Sequence, residues 1–334
     1  MARYKAQVLE ARIRFKWMAD KRHLPLRSDH WELYRIIHRR IFGELGEFPN
    51  LVNPRDFNDR IQWLKLFDQT EEHVRCSDKL RVKDYVRERV GEDYLVQLYQ
   101  VCERFDDIDF ERLPKSFVIK TNHDSGTVVL VRDKTQLDRE AVRTQIETSL
   151  QQTYGWENGE WAYAFVEPKI LVEEFLRPEH YAPPPDYKFQ CVDGKVQFCR
   201  YTYDRGIDTK EVVTDREGMV LDFIIDENFK RGSEFKRPEA WHDLIKFAET
   251  LSDRFKCVRV DLFQVNGRTF FGELTFFPYF GAYKGEGQTK VGPLLDFDRT
   301  TFKQPIYHKL TRPNSERNVV TVDCFKAKAD KAFL

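Results

Sequence analysis

The sequence has no surplus of either charge, because 55 lysines and arginines balance 55 aspartates and glutamates. A chain without net charge has no general attraction for nucleic acid, so we expect no nucleic-acid partner and only local anion sites. The six cysteines are scattered, with no CxxC pair and no cluster with histidine. This spacing argues against a disulfide framework and against a zinc site.

The chain also lacks an apolar run long enough to span a membrane, and Met1–Lys5 lead into a charged segment without the apolar core of a signal peptide. We therefore expect a cytoplasmic protein, with peripheral contact at the inner face of the membrane left open by the basic, aromatic N-terminus. At 334 residues, of which 41% are hydrophobic, the chain is long enough for two or more subdomains around one cleft.

Two strands near the end of the chain each carry one carboxylate among apolar neighbours. Val258–Phe263 and Phe270–Thr275 read as adjacent strands joined by an Asn-Gly turn, with Asp261 in the first and Glu273 in the second. Burying an unpaired acid there costs roughly several kcal/mol, so each needs a partner. Hard oxygen ligands of this kind suit Mg²⁺. The pattern predicts a metal site, and the alternative is a buried ion pair in which Arg259 neutralises one acid.

A strand–loop–strand unit provides a candidate phosphate site. Phe117–Lys120 and Thr127–Val131 are strand-like and flank the polar loop Thr121–Gly126, without the helix that follows a Walker or Rossmann loop. Lys120 can reach a phosphate while backbone N–H groups of the loop close over it, although a solvated lysine fits the same position. His123 is either a general base, a phosphate contact, or a residue that forms only a local hydrogen bond.

Hydrophobic periodicity predicts helices and further strands elsewhere. A charged helical region is expected from about residue 6 to 45. Other helices are predicted at 57–67, 78–90, 136–152 and 238–255, and strands at 170–176, around 189 and at 196–203.

Six segments combine polar and apolar residues in a distinctive order: Asn53–Lys65, Ser77–Val82, Ile119–Gly126, Val172–Leu176, Asp186–Phe189, and the pair Arg259–Asp261 with Gly272–Thr275. In that order they resemble the opening motif, Asp-Lys helix start, nucleotide loop, hinge strand, nucleotide-facing strand and metal-binding pair of the TupA-like branch of the ATP-grasp superfamily. The resemblance covers roughly residues 50 to 285. It implies a fold of α+β / α/β class, the ATP-grasp fold, with a nucleotide cleft between two α+β subdomains.

Pattern and resemblance together predict five segments along the chain. They are an N-terminal helical extension (1–50), a helical N-terminal subdomain (51–112), a small lid subdomain (113–177), a large subdomain with the metal site (178–310) and a C-terminal tail (311–334).

The resemblance implies ATP and Mg²⁺ as cofactors and assigns residues to each. Nucleotide contacts would come from Lys79, Lys120, Ser125, Gly126, Glu173, Glu174, Phe175, Leu176 and Lys188. The metal would be held by Asp261, Glu273 and Thr275. Related ligases usually carry Asn at the last of these positions, so the departure puts a second metal ion in doubt. Arg259, Lys188 and His123 would be the catalytic residues.

The reaction implied by the resemblance is carboxylate activation by ATP followed by attack of an amine. In this branch the setting is a bacterial cell-surface polysaccharide or teichuronopeptide precursor, with an amino acid joined to a uronic acid. The expected partners are therefore a small-molecule amine and a carboxylate-bearing glycan or a nucleotide- or lipid-linked sugar. The alternatives are a sugar kinase on the same fold, with His123 or Asp124 as base, a glycosyltransferase using a nucleotide sugar, and a non-catalytic scaffold.

The acceptor site is the part that the sequence defines least. The aromatic segment Phe276–Tyr283 follows the second acid and suits either sugar rings or ordinary core packing. A set of basic residues could receive a polyanionic uronate or form a solvated face. These residues are Arg205, Lys210, Arg216, Lys230 and Arg231.

Overall fold

The computed structural model describes residues 12–13, 16, 28–176, 184–206 and 208–299, so the predicted 311–334 tail lies outside the described residues. None of the helices in these ranges is long and apolar enough to cross a membrane. The α-helices are α1 (Ser28–Leu45), α2 (Phe57–Phe67), α3 (Glu71–Ser77), α4 (Val82–Val90), α5 (Arg139–Leu150), α6 (Trp161–Ala164), α7 (Trp241–Ser252) and α8 (Gly287–Val291).

The strands form two sheets. They are β1 (Leu98–Cys102), β2 (Phe117–Thr121), β3 (Val128–Val131), β4 (Ile170–Glu174), β5 (Asp186–Val192), β6 (Lys195–Tyr203), β7 (Lys210–Asp215), β8 (Lys230–Arg231), β9 (Cys257–Val265) and β10 (Arg268–Thr275). The small sheet has the order β1-β4-β2-β3 and is antiparallel. The large sheet has the order β10-β9-β5-β6-β7-β8 and is antiparallel except for the last pair.

One face of the small sheet is apolar and the other carries charge. Phe117 and Ile119 of β2 are fully buried and belong to a hydrophobic cluster with Ile146 of α5. Because side chains alternate along a strand, Lys120 lies on the face opposite to Phe117 and Ile119. Glu173 of β4 shares that face and contacts Lys120. The predicted phosphate residue and the predicted hinge residue are thus neighbours on one face.

The large sheet follows the same rule. Val258 and Val260 of β9 are fully buried in the main core, together with Trp241 of α7. Arg259 and Asp261 occupy the alternate positions of β9 and therefore project from the opposite face. The helix covering one side of the sheet leaves the charged face available for a site.

The predicted elements are largely confirmed, with shifts at some ends. The helix at 57–67 has the predicted bounds. The helix predicted at 78–90 begins only at Val82, because Asp78 lies in a preceding turn, where its carboxylate accepts from the amide of Asn122 at 2.9 Å. The small sheet also starts earlier than the predicted boundary at residue 113, since β1 pairs with β4.

Candidate active site

The two predicted acids face each other across the β9–β10 hairpin. Glu273 is the cross-strand partner of Asp261, and a bulge between Phe271 and Glu273 shifts the register. Gly272 occupies the bulge, where a Cβ atom would lie 3.0 Å from the backbone carbonyl oxygen of Asp261. A glycine at this position lets the two strands approach closely while both carboxylates share one face.

Arg259 connects both acids. Its Nε and Nη2 donate to the two carboxylate oxygens of Asp261, each at 2.6 Å, and Nη2 also donates to Oε1 of Glu273 at 3.0 Å. Lys188, the β5 partner of Asp261, donates to Oδ2 of Asp261 at 2.8 Å. The ion pair considered as an alternative is therefore present, but two carboxylates share two cations. These four side chains, Arg259, Lys188, Asp261 and Glu273, are called the charged cluster below.

The two acids of the charged cluster differ in burial. The side chain of Asp261 is 6% exposed and that of Glu273 is 44% exposed. Burial acts to raise the pKa of Asp261, but Arg259 and Lys188 outweigh it and lower that pKa to about 2. Asp261 is therefore ionised at neutral pH inside the cluster, whereas Glu273 stands at its solvent-facing side.

Thr275 contacts Glu273 and orients its carboxylate. Its hydroxyl donates to Oε1 of Glu273 at 2.8 Å and accepts from Nη2 of Arg259 at 3.1 Å. The alternation of β10 places Thr275 on the same face as Glu273, two residues earlier. Metal ligation by this hydroxyl stays a prediction.

The predicted nucleotide loop is organised around a buried carboxylate. Asp124 accepts a hydrogen bond from the hydroxyl of Thr121 at 2.6 Å and another from the hydroxyl of Thr127. These two threonines flank the loop, so Asp124 fixes both of its ends. Ser125 and Gly126 remain exposed at the tip, and Gly126 has a positive φ of 97°, which favours glycine. The tip is thus free to meet a ligand while its base is fixed.

Lys79 links the loop to the charged cluster. Its Nζ donates to the backbone carbonyl of Thr121 at 3.0 Å and to that of Asp124. Burial lowers the pKa of Lys79, and the electrostatic influences on this ammonium include Asp124, Lys120 and Glu273. A single lysine therefore lies within electrostatic range of the loop, of the small sheet and of the β10 acid. This brings the predicted phosphate residues and the predicted metal residues into one site.

Glu173 holds two lysines. Lys120 Nζ lies 2.5 Å from Oε2 of Glu173, and Lys83 Nζ lies 2.9 Å from Oε1. Burial acts to raise the pKa of Glu173, but Lys120 and Lys83 outweigh it and the net pKa is lowered. The predicted contact of Glu173 with adenine stays a prediction, since its carboxylate is engaged by these cations. Lys83 was not anticipated, although its spacing of four residues from Lys79 is a usable signal.

His123 does not face the cleft. Its side chain is buried, and Nε2 donates to the backbone carbonyl of Ser149 at 3.1 Å, on the side of α5. Burial lowers the pKa of the imidazole, so the ring is neutral at pH 7. Of the readings open at the sequence level, the local hydrogen bond is the one that this geometry fits, and a catalytic role for His123 has no support in it.

The predicted hinge residues lie at the end of β4 and directly after it. Glu174, Phe175 and Leu176 are half-buried, and the backbone N–H of Glu174 donates to the carbonyl of Gln97 at 2.9 Å. Their partly exposed side chains fit the predicted contacts with a nucleotide base, which stay a prediction.

A second buried charge network lies beside the charged cluster. Arg200 of β6 is the cross-strand partner of Lys188, and its Nε donates to Oε2 of Glu211 at 3.0 Å. It also donates to the hydroxyl of Tyr283 and lies 3.9 Å from Asp226. The sequence signal was available, because Arg200 is an isolated charge between apolar neighbours, as Asp261 is.

The basic residues considered for polyanion binding are each paired with an acid. The pairs are Arg205 with Asp186, Lys210 with Asp204 at 2.8 Å, Arg216 with Glu249 at 3.1 Å, Lys230 with Asp208 at 2.8 Å, and Arg231 with Asp222. Paired side chains at a sheet edge match the solvated face that was the alternative reading, so they offer no uncompensated positive patch.

The donors of the charged cluster fit a magnesium ion that is shared with a ligand. Within the described ranges, no group of three or more His, Cys, Asp or Glu side chains could hold a metal by itself. Mg²⁺ is commonly bound by one or two carboxylates together with substrate phosphates. Asp261 and Glu273 are two carboxylates that could serve in this way, and the binding of phosphates by Lys79 and Lys120 stays a prediction.

Lysines around a polar loop and a carboxylate pair on a neighbouring sheet are groups that nucleotide phosphates and a shared metal ion would require. The model of the TupA-like ATP-grasp family matches residues 59–291. The chain belongs to this family, which confirms the predicted resemblance and the ATP-grasp fold.

Several solved structures are similar over part of the chain. A D-alanine–D-alanine ligase from Bacillus anthracis, complexed with ATP, is 17% identical over 66% of this chain and 61% of its own, with a TM-score of 0.39. The corresponding ligase from Helicobacter pylori is 14% identical over 72% and 68%, with a TM-score of 0.38. An ADP complex of N5-carboxyaminoimidazole ribonucleotide synthetase is 14% identical over 69% and 52%, with a TM-score of 0.39.

The chain thus spans less than two thirds of the Bacillus anthracis ligase. A comparison with curated protein sequences gives no match.

Proposed function

We propose that this protein is an ATP- and Mg²⁺-dependent carboxylate–amine ligase that joins an amino acid to a uronic acid of a bacterial cell-surface polysaccharide or teichuronopeptide precursor. The observation that carries the proposal is that Asp261 and Glu273 are cross-strand partners on one face of the large sheet, where Arg259 and Lys188 contact them. Membership of the ATP-grasp family supports ATP as the nucleotide. The uronic acid setting rests on the TupA-like branch of that family.

The triphosphate would lie between the loop and the charged cluster. Lys79 and Lys120 would neutralise phosphate oxygens, while Ser125 and Gly126 at the loop tip would close over them through backbone N–H groups. The half-buried hinge residues would hold the base. Lys120 would have to share its ammonium between the phosphate and Glu173, which it contacts at 2.5 Å.

Magnesium would be held by Asp261 and Glu273, with Thr275 orienting the latter. When bound, the metal ion would neutralise charge on the phosphates during transfer. Arg259 and Lys188 would stabilise the remaining negative charge, because they project from the same face as the two acids. Arg259 is positioned to stabilise a transferring phosphoryl group or the oxyanion of a tetrahedral intermediate.

The reaction would proceed in two balanced steps. A carboxylate oxygen of the uronate attacks the γ-phosphorus and ADP leaves, giving an acyl phosphate. The neutral amino group of the amino acid then attacks the acyl carbon and loses a proton, the C–O bond to phosphate breaks, and inorganic phosphate leaves with one former carboxylate oxygen and takes up that proton. Exclusion of water protects the acyl phosphate, and the loop around Ser125 is the candidate lid.

The geometry favours a ligase over a sugar kinase. A kinase needs a base beside the acceptor hydroxyl. Of the two candidates, His123 is buried against Ser149 and Asp124 is saturated by Thr121 and Thr127. A ligase that activates an ionised carboxylate needs no base for its first step. We place the reaction in the cytoplasm, where ATP is available, with access to membrane-linked sugars at the inner face.

An isotope experiment tests the proposal. The protein is incubated with MgATP, an amino acid panel and glucuronic acid labelled with ¹⁸O in its carboxylate, and released phosphate is analysed by mass spectrometry. Transfer of one ¹⁸O atom to phosphate is the expected result. Lys120→Ala should abolish the transfer, because a phosphate cation is lost. Lys115→Ala is the matched control, since Lys115 is 70% exposed and pairs only with Asp133.

The other outcomes identify the other functions. A phosphorylated sugar without free phosphate would indicate a kinase. Stabilisation against heat by a UDP-sugar but not by MgATP would indicate a glycosyltransferase, because a ligand of the native state raises the midpoint of thermal unfolding. Either result would overturn the ligase proposal.

A further inference from the structure

Two aromatic residues beside the charged cluster have an unusual backbone conformation. Tyr279 has φ 48° and ψ 38°, and Phe280 has φ 42° and ψ 25°. Bulky residues rarely adopt the left-handed region, and two in succession persist only when the surroundings impose it. Such outliers are a reason to ask what the segment presents to a ligand.

Helix α2 imposes this conformation. Gln62 donates through Nε2 to the backbone carbonyls of Phe280, at 2.9 Å, and Gly281, at 2.8 Å. Lys65 donates to the same Phe280 carbonyl at 2.8 Å and is fully buried. These hydrogen bonds from a buried lysine and a buried glutamine fix the backbone of residues 279–281.

The result is one aromatic ring that faces outward. Tyr279 is 38% exposed, whereas Phe280 is buried. The ring of Tyr279 stacks on Tyr283, with centroids 5.3 Å apart and planes 11° from parallel. The ring of Tyr279 also stacks on Phe280, with centroids 5.3 Å apart and planes 21° from parallel. Both neighbouring rings therefore support Tyr279, and the part of its ring that remains exposed is held in a fixed orientation.

The supporting ring connects this surface to the site. The hydroxyl of Tyr283 accepts a hydrogen bond from Arg200, and it lies within electrostatic range of Arg259 in the charged cluster. Tyr283 is also fixed by Asn58, whose side chain forms two hydrogen bonds with its backbone, at 2.8 and 3.0 Å. Tyr279 is thus linked through Tyr283 to Arg200, the cross-strand neighbour of Lys188 in the charged cluster.

Polar groups border the ring on one side. The side chain of Asn228 interacts with the Tyr279 hydroxyl, and Asp226 lies within electrostatic range of it. Asn228 donates to Oδ1 of Asp226 at 2.8 Å. Asp226 is buried and holds Asn228 in place, whereas Asn228 is exposed. An aromatic ring with an exposed amide at its edge matches a sugar, whose C–H groups pack on the ring and whose hydroxyls need a donor or acceptor at the rim.

We propose that the exposed part of Tyr279 is the packing surface, or platform, for a pyranose ring of the acceptor, with the exposed side chain of Asn228 contacting one of its hydroxyl groups. The proposal rests on the proposed ligase function for its place in the reaction and adds the residue that selects a saccharide. Charge recognition would fall to the charged cluster, and ring recognition to Tyr279. The strained backbone is the cost of presenting this side chain in a fixed orientation.

Binding of a sugar probe tests the platform directly. Saturation-transfer-difference NMR is recorded with methyl β-D-glucopyranosiduronate, on the wild-type protein and on Tyr279→Gly and Tyr279→Phe. The wild type should transfer saturation mainly to the ring C–H protons of the probe. Tyr279→Phe keeps the ring and should bind within about threefold of wild type, whereas Tyr279→Gly should bind at least about tenfold more weakly.

The glycine variant separates binding from folding. Because glycine accepts positive φ without strain, the relief of backbone strain in Tyr279→Gly should offset the packing lost with the ring, and the variant should unfold close to the wild-type temperature. A purely structural role for Tyr279 predicts the reverse, with lowered thermal stability and unchanged probe binding. That result, or absence of probe binding to the wild type, would overturn the platform.

A parallel measurement separates this proposal from the ligase proposal. Stabilisation by MgATP should be the same in all three proteins, because Tyr279 is not part of the predicted nucleotide site. If the wild-type protein transfers ¹⁸O to phosphate but shows no saturation transfer to the sugar probe, the platform proposal is refuted and the ligase proposal is not. Wild type that binds the probe through Tyr279 but neither binds MgATP nor transfers ¹⁸O would refute the ligase function while supporting the platform.

Discussion

Replacing Asp261 by Asn removes one negative charge from a buried cluster in which two cations depend on it. Arg259 donates to both carboxylate oxygens and Lys188 to one, all within 2.8 Å. Asn retains one acceptor oxygen and adds an N–H group that faces cations. Glu273→Gln is a matched change of the same chemistry on the neighbouring strand, but its side chain is 44% exposed.

The expected magnitudes differ several-fold. Removing one partner from a buried ion pair costs about 3 to 5 kcal/mol, because the other charge is left without compensation. We expect about 3 kcal/mol for Asp261→Asn, since Glu273 still accepts from Arg259. An exposed pair contributes about 0 to 1 kcal/mol, so Glu273→Gln should cost less than about 1 kcal/mol. Both substitutions should abolish ATP turnover.

Urea denaturation followed by tryptophan fluorescence measures both free energies of unfolding, in the absence of metal and nucleotide. The double variant Asp261→Asn/Lys188→Met should recover about 1 kcal/mol or more relative to Asp261→Asn, because one of the uncompensated cations is removed. Equal stability of the two single variants would refute the burial argument. A double variant less stable than Asp261→Asn would refute the assignment of Lys188 as its counterion.

Two further predictions concern residues outside the acid pair. Lys83→Met should weaken MgATP binding, measured by titration calorimetry, by about tenfold, because Glu173 would then draw Lys120 more strongly, while Lys83→Arg should retain most of the affinity. Burial lowers the pKa of His38 from 6.5 to about 4. The folded state therefore resists protonation, and the free energy of unfolding should fall by about 3 kcal/mol between pH 6.5 and pH 4, since each pKa unit is worth about 1.4 kcal/mol. His38→Phe should remove that part of the slope, because the ring packs between Tyr34 and Phe48.

The sequence predicted the β9–β10 hairpin and both of its acids because the signals are local. An Asn-Gly pair marks the turn, and a single charge in an apolar strand marks a residue with a special partner. The identity of that partner is not local. Lys188 lies 73 positions from Asp261 in the chain, and only the pairing of β5 with β9 brings the two together.

His123 and Lys83 show the opposite limits of sequence reasoning. His123 lies in a loop whose composition suggested chemistry, but loop composition does not determine which side of the loop a ring occupies, and α5 provides the carbonyl that holds it. The sequence did not predict a role for Lys83, because lysines on helices are usually solvated. Its ammonium is buried because it pairs with Glu173 of β4, whose carboxylate is shielded from solvent.

The ion pair and the metal site, treated as alternatives from the sequence, are compatible once the whole cluster is considered. Arg259 and Lys188 balance Asp261 and Glu273, so the ligand-free cluster contains no uncompensated charge. Under the proposed function, the phosphates of ATP would give the two cations new partners at the moment when the metal takes up the two acids. The cluster can therefore exchange one set of ion pairs for another without burying a lone charge in either state, which is the property that a phosphoryl-transfer site needs.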